Sequence, residues 1–193
     1  QRTESLRSLV VKSSAGVYGC GPKDPALFTE DMDPRHAPRS GWAKDSAEVE
    51  GYVRGFARRR PEVTVTTFRF ANFLDRRIDT AMTDYFSLPV IPTVLGFDPR
   101  LQFVHVDDGL EIIRRAVREP RPGAFNVAGD GVITLLQAVR RSGRPHVAVP
   151  EPMLTPLGQG LSRAGLLDFS PEQVRYVTFG RVLDTTLVER TYG

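Results

Sequence analysis

Two hydrophobic periods take turns along this chain. The run Ser8 to Ser14, with Leu9, Val10 and Val11 at its start, predicts a buried strand, after which the chain turns at Gly16 and Gly19. Residues 20–41 are rich in Gly, Pro and charge and predict a long surface loop. From about Ala43 to Arg59 the apolar positions Ala47, Val49, Tyr52, Val53 and Phe56 follow a helical spacing, and Pro61 ends that helix. Val63 to Phe70 is β-branched and aromatic, the make-up of a second buried strand. Ile78 to Leu88 predicts a helix closed by Pro89 and Pro92, and Leu101 to Val106 a strand. Asp107 or Asp108 can cap a helix over Gly109–Val117, with Pro120 at its exit. Ala124 to Ala128 predicts another strand, followed by a turn at Gly129-Asp130-Gly131. Thr134 can cap a helix to about Arg141, and past Pro145 helical stretches are expected near Leu157–Leu166 and Pro171–Tyr176. Strands alternating with helices predict an α/β fold, mostly parallel, with both sheet faces covered.

Composition narrows the class. The chain is 40% hydrophobic and 25% charged over 193 residues, enough for one domain with a sizeable core. No apolar run approaches the roughly 20 residues that cross a bilayer, and no signal-peptide pattern opens the chain, so a cytoplasmic protein without a membrane partner is expected. Cys20 is the single cysteine, which excludes an intrachain disulfide and a cysteine-rich zinc site. His36, His105 and His146 are far apart and have no metal-ligand spacing. The net charge of +3 is spread out, and its one compact run, Arg58-Arg59-Arg60, sits at an expected helix end where cations favour the dipole. Nucleic acid is therefore not the expected partner. The chain opens on Gln1, close to the first strand, and ends as another helix is expected to begin, so both edges read as cuts inside a fold.

The chemistry lies in short segments. Ser13-Ser14-Ala15-Gly16-Val17-Tyr18-Gly19 puts small hydroxyl residues at the carboxyl end of a strand, where ligands of open α/β sheets bind. Phe68-Arg69-Phe70-Ala71-Asn72, Phe103-Val104-His105-Val106-Asp107-Asp108, Gly123-Ala124-Phe125-Asn126-Val127-Ala128 and Asp184-Thr185-Thr186 follow in order. Together these segments resemble the extended short-chain dehydrogenase/reductases, the NAD-dependent epimerase/dehydratase group, over nearly the whole chain. The resemblance implies the later part of a Rossmann-like parallel sheet with a smaller C-terminal substrate region. The chain would be a single incomplete unit, with later Rossmann strands and the catalytic helix in 1–75 and the substrate region mixed with remaining Rossmann elements in 76–193. It further implies Ser14 as a catalytic residue that also bonds substrate, Asn72 and His105 near the substrate, and Ser13 on the cofactor side.

Two departures bear on activity. The family's Gly-x-x-Gly-x-x-Gly turn, which lets a pyrophosphate approach a helix N-terminus, does not occur in these residues. NAD or NADP is thus expected only where an upstream portion supplies that turn. The family's Tyr-x-x-x-Lys, aligned on Ala47-Glu48-Val49-Glu50, becomes Trp42-Ala43-Lys44-Asp45-Ser46. An indole does not exchange protons usefully near neutral pH, and serine has no charge to lower a neighbour's pKa. Lys44 points to another helical face, and Tyr18 is an alternative proton carrier. Asp75-Arg76 also departs, standing where the family has Gly-Pro. Trp42 can serve as core filling or as a stacking platform for a planar ligand. Asp24, Glu30, Asp31 and Asp33 are expected to be solvated in the long loop, and Cys20 shows no activating partner.

The resemblance implies an NAD(P)-dependent epimerase or dehydratase acting on a nucleotide sugar or similar polar substrate, with weakened turnover. The alternatives are a non-catalytic member that binds a nucleotide or a protein, and a degenerate reading frame. A homodimer or a protein partner is expected to cover the exposed sheet edge.

Overall fold

The computed structural model describes residues 5–34, 37–38, 41–163 and 171–193. His36 and residues 164–166 of the expected Leu157–Leu166 helix fall outside them. The elements run β1 (Ser8–Ser14), α1 (Gly41–Arg59), β2 (Thr64–Phe70), β3 (Asn72–Phe73), α2 (Ala81–Ser87), β4 (Ile91–Val94), β5 (Arg100–Leu101) and β6 (Phe103–Val104). They continue through α3 (Val106–Arg118), β7 (Gly123–Val127), β8 (Ile133–Thr134), α4 (Leu135–Ser142), β9 (His146–Val149), α5 (Glu151–Arg163), α6 (Pro171–Phe179) and α7 (Thr186–Tyr192).

The two runs read as buried strands and the run expected over Ala124–Ala128 form one parallel sheet in the order β1-β2-β7. Ser8 lies opposite Thr64 and Ser14 opposite Phe70, while Phe68 faces Phe125 and Arg69 faces Asn126. Side chains alternate across a strand, so this register sorts the sheet into two faces. One face carries Phe68, Phe70, Phe125 and Val127, which cluster with Val104, Ala116 of α3 and Val188 of α7. The Phe68 ring lies 5.9 Å from both Phe70 and Phe125, centroid to centroid. Each such fully buried side chain stabilises by roughly 1.5–3 kcal/mol. The other face, against α1, carries Leu9, Val11 and Val65 at one end and becomes polar toward the carboxyl ends, with Ser13, Thr67, Arg69 and Asn126. The fold is α/β and Rossmann-like, with helices on both faces of the sheet. Among the described residues the outer edge of β1 has no strand partner.

Beyond this sheet the chain builds a smaller region from two-stranded pieces: β3 with β6 and β4 with β9, both parallel, and β5 with β8, antiparallel. The expected single strand over Leu101–Val106 is split. Gln102 interrupts it, donating its amide to Gly129 O at 3.1 Å and accepting the Leu183 N–H at 3.0 Å. The strands β4 and β9 were hidden by Pro92 and Pro145, because proline reads as a breaker yet is tolerated at the edge of a short pair. Thr80 and Thr134 each close a capping box, setting the starts of α2 and α4. Gly180 is required where it stands, for its φ is +72° and a Cβ would lie 2.2 Å from Arg100 O. No helix among the described residues is long and apolar enough to cross a membrane.

Candidate functional site

The carboxyl ends of β1 and β2 open into a cavity of about 370 Å3. Its wall includes Lys12, Ser14, Trp42, Asn72, Phe73 and Asp79. This is the place an open α/β sheet presents to ligands.

Ser14 occupies an extended N-cap and its Oγ accepts the Gly16 N–H at 3.0 Å, opening a 3-10 turn over Ala15–Tyr18. Because the oxygen accepts, its own proton is uncommitted among the described residues and can be donated into the cavity. Gly16 makes that turn possible, since a Cβ there would meet Ala43 Cβ at 3.1 Å and Ser14 Oγ at 3.2 Å. Trp42, in the first turn of α1, is 64% exposed, so it stands at the cavity wall rather than in the core. Lys12 leaves β1 two residues before Ser14, on the same face, and its Nζ lies 5.4 Å from the Trp42 ring centroid and 5.5 Å from that of Phe73. Burial holds its ammonium below the usual lysine range. Asn72 sits on β3 just past β2, and its side chain hydrogen-bonds Tyr176, opposing the burial that raises that phenol's pKa.

Ser13 also reaches the cavity, but its hydroxyl donates to Glu50 Oε1 at 2.6 Å. From there a buried polar network crosses the α1 face. The Arg69 Nη2 donates to Glu50 Oε2 at 2.8 Å and its Nε to Oε1 at 3.1 Å. Its Nη1 donates to the Tyr18 hydroxyl at 2.8 Å, which in turn donates to Asn126 Oδ1 at 2.8 Å. The Asn126 N–H donates to Glu30 Oε1 at 2.8 Å and its amide to Phe28 O at 3.0 Å. Glu30 is therefore part of the structure's interior bonding and not simply solvated, which corrects the reading of the loop. Burial raises the Tyr18 pKa against the pull of Arg69, and both sides of its hydroxyl are engaged. Tyr18 is thus held as a structural link rather than poised to carry a proton. Sequence spacing did not reveal this network, although a charged Glu50 between Ala47 and Val53 and a charged Arg69 inside a buried strand were its visible signals.

The structure brings together Ser13, Ser14, Trp42 and Asn72 and separates the remaining two expected site residues from them. Ser46 is 7% exposed and lies on the inner side of α1 with Glu50, one turn on from Trp42, and it is not part of this cavity's wall. Lys44 pairs with Glu48 at 3.5 Å on the outer surface. His105 lines a different cavity of about 630 Å3, with Asp75, Arg76, Asp79, Thr83 and Asp84 among its walls. It caps α3, in place of the expected Asp107 or Asp108: its Nδ1 accepts the Asp107 N–H at 3.3 Å. That leaves the proton on Nε2, 3.1 Å from Asp75 Oδ2. Asp75 also accepts from Arg77 Nη2 at 2.7 Å, and this hydrogen bond holds its carboxyl down at about 2. The Asp75 departure thus has a structural role. Cys20 is buried, and burial raises its thiol's pKa.

A parallel β1-β2-β7 sheet with a ligand cavity at its carboxyl edge, and a smaller region beyond it, is the fold of the NAD-dependent epimerases and dehydratases, the extended short-chain dehydrogenase/reductases. Among solved structures, the UDP-glucose 4-epimerase of Thermotoga maritima with UDP-glucose superposes with a TM-score of 0.68 at 17% identity, covering 96% of this chain and 57% of that one. The UDP-glucuronic acid 4-epimerase of Bacillus cereus, with UDP-glucuronic acid and NAD, gives 0.67 at 14% identity over 97% of this chain and 56% of that one. The dTDP-glucose 4,6-dehydratase of Streptomyces venezuelae, with NAD bound, gives 0.65 at 19% identity over 96% and 54%. Uncharacterized proteins of Mycobacterium tuberculosis and Mycobacterium bovis are 42% identical over 194 residues, covering 100% of this chain and 51% of theirs. The chain spans about half the length of the curated relatives it matches. No family model matches the sequence.

A nicotinamide cofactor would find the Ser13 hydroxyl already donated to Glu50 Oε1, and Ser46 buried and uncharged.

Proposed function

We propose that this chain forms the sugar-side half of a protein that binds a nucleotide sugar, and that it holds this ligand better than it transforms it. The observation that carries the reading is the wall of the 370 Å3 cavity: Ser14 with a hydroxyl proton to donate, Asn72 beside it, and an indole at position 42. Hydroxyl and amide groups suit a sugar's hydroxyls, and an exposed indole offers a flat apolar surface. An indole N–H does not take up or release a proton near neutral pH, so the acid/base half of the family's reaction has no carrier at that position. The reading places the protein in the cytoplasm and leaves the outer edge of β1 for a homodimer contact or a protein partner.

Titration calorimetry with UDP-glucose, run beside an assay for epimerised or dehydrated product, tests this. We expect 1:1 binding with turnover depressed by a factor of about 10²–10⁴, the usual worth of general acid/base catalysis. Absence of binding overturns the reading, and rapid turnover overturns its second half.

A further inference from the structure

Lys12 is the cation of the ligand cavity. It projects from β1 on the same face as Ser14, with its Nζ between the Trp42 and Phe73 rings at 5.4 and 5.5 Å. The Phe73 ring that forms one wall is fixed from behind. It packs 5.1 Å from Phe70, and the helix α3 makes room for it at Gly109, where a Cβ would lie 2.6 Å from Phe73 Cε1. Two ring faces attract an ammonium and steady its long stem, yet they neutralise no charge. Among the described residues Lys12 is in no ion pair, whereas Lys44, Arg69, Arg77 and Arg115 each have a carboxylate partner. Asp79, the other charged residue on this cavity's wall, is not paired with it either. An unpaired ammonium beside an uncommitted serine hydroxyl fits an anionic group and an adjacent hydroxyl on one ligand.

We propose that Lys12 binds an anionic group, phosphate or carboxylate, of the ligand held against Ser14. This rests on the proposed nucleotide-sugar cavity and names the residue that selects its charge. The stacked indole makes the proposal readable, because fluorescence of Trp42, obtained by difference against Trp42→Phe, reports on the space around Lys12.

The experiment has two arms on the wild type, Lys12→Met and Lys12→Arg. Met keeps most of the stem and removes the charge, while Arg restores the charge. In the first arm the probes are iodide and caesium ions as quenchers. With each ion's quenching normalised to that of free N-acetyltryptophanamide, iodide should quench Trp42 in excess over caesium, Lys12→Met should remove that excess, and Lys12→Arg should keep it. No normalised excess in the wild type, or an unchanged excess in Lys12→Met, overturns the proposal whatever the ligand.

The second arm titrates UDP-glucuronate, UDP-glucose and uridine. Lys12→Met should weaken an anionic ligand by about tenfold or more, with partial recovery in Lys12→Arg. Loss for both UDP-sugars identifies the phosphate as the anion, and loss for UDP-glucuronate alone identifies the sugar carboxylate. Unchanged affinity of Lys12→Met for both overturns the proposal. If neither UDP-sugar binds the wild type, the nucleotide-sugar reading fails, and the ion-quenching arm still decides whether Lys12 forms an anion site.

Discussion

The two faces of the β1-β2-β7 sheet solve the same packing problem with opposite materials. Toward α3 and α7 the face is built from Phe68, Phe70, Phe125 and Val127, with Val188 and Ala116 closing over them. Toward α1 the carboxyl end of the other face is built from Ser13, Arg69 and Asn126 with Tyr18, closed by Glu50 and Glu30. The apolar face gains from area removed from water and tolerates small adjustments. The polar face gains little net energy over a hydrophobic one and loses much if any member is deleted. What it provides is direction. Ser13 is tied to α1, which fixes where β1 ends and how Ser14 enters the cavity. The site is therefore positioned from both faces: Lys12, Ser14 and Phe73 stand on the apolar side, and Ser13 anchors the strand end from the polar one.

Removing one partner of the buried pair should break that asymmetry most sharply. Arg69→Met leaves Glu50 without its bidentate partner and Tyr18 without its donor, and should cost about 3–5 kcal/mol in urea unfolding. Adding Glu50→Leu should recover a large part of that loss, since a paired deletion leaves no orphaned charge. If the double variant is no more stable than Arg69→Met alone, the network is not the coupled unit its distances describe. On the other face Phe70→Leu should cost only roughly 1–2 kcal/mol, because aliphatic carbon still fills most of the space. A loss there equal to that of Arg69→Met would erase the contrast.

The contrast also explains what could be read from sequence. The strands β1, β2 and β7 and the helix α1 were legible because their apolar runs and bounding glycines and prolines act over a few residues. The convergence of Ser14, Trp42 and Asn72 followed from the resemblance, which carried their order. The polar face was not legible, because its bonds join residues such as Tyr18 and Asn126 that are distant in sequence. No short-range period encodes such a pairing. Ser46 lies one turn from Trp42, as helical spacing predicts, but it is buried while Trp42 is exposed, a difference that spacing alone does not encode.

A second ion pair offers a smaller effect. The Asp75–Arg77 pair includes a guanidinium side chain that is 57% exposed, unlike that of Arg69. Its carboxyl is held at about 2 by Arg77, below its ordinary value of 3.8. A depressed carboxyl contributes stability that is fully present above the unfolded value and lost as pH falls through the folded one. Melting temperature should therefore lose this contribution between about pH 4 and pH 2, a step that Asp75→Asn abolishes. Raising the salt concentration should also weaken this pair more than Arg69–Glu50, as screening reaches exposed charges first. An identical acid limb in wild type and Asp75→Asn would remove Asp75 from the account of how α3 is capped.

The smallest change probes the site itself. Trp42→Tyr exchanges one exposed aromatic for another, so its effect on stability should stay within about 0.5 kcal/mol, the usual range for surface positions. Its consequence is electrostatic. A phenol set there would sit near the Lys12 ammonium, now 5.4 Å from the indole centroid. A nearby positive charge favours the phenolate, so the new hydroxyl should titrate below the ordinary tyrosine range of about 10. Ultraviolet difference titration against wild type isolates that one phenol, and adding Lys12→Met should return it to the ordinary range. Restoring the family's second residue by Ser46→Lys should do something different. It forces a cation into a buried position one turn from Glu50, whose carboxylate Arg69 already engages, and should lower stability before it helps any proton transfer. If instead Ser46→Lys is tolerated and lowers the phenol's pKa further, Ser46 reaches the cavity after all, and the division between a polar face that positions and a cavity that binds has to be redrawn at α1.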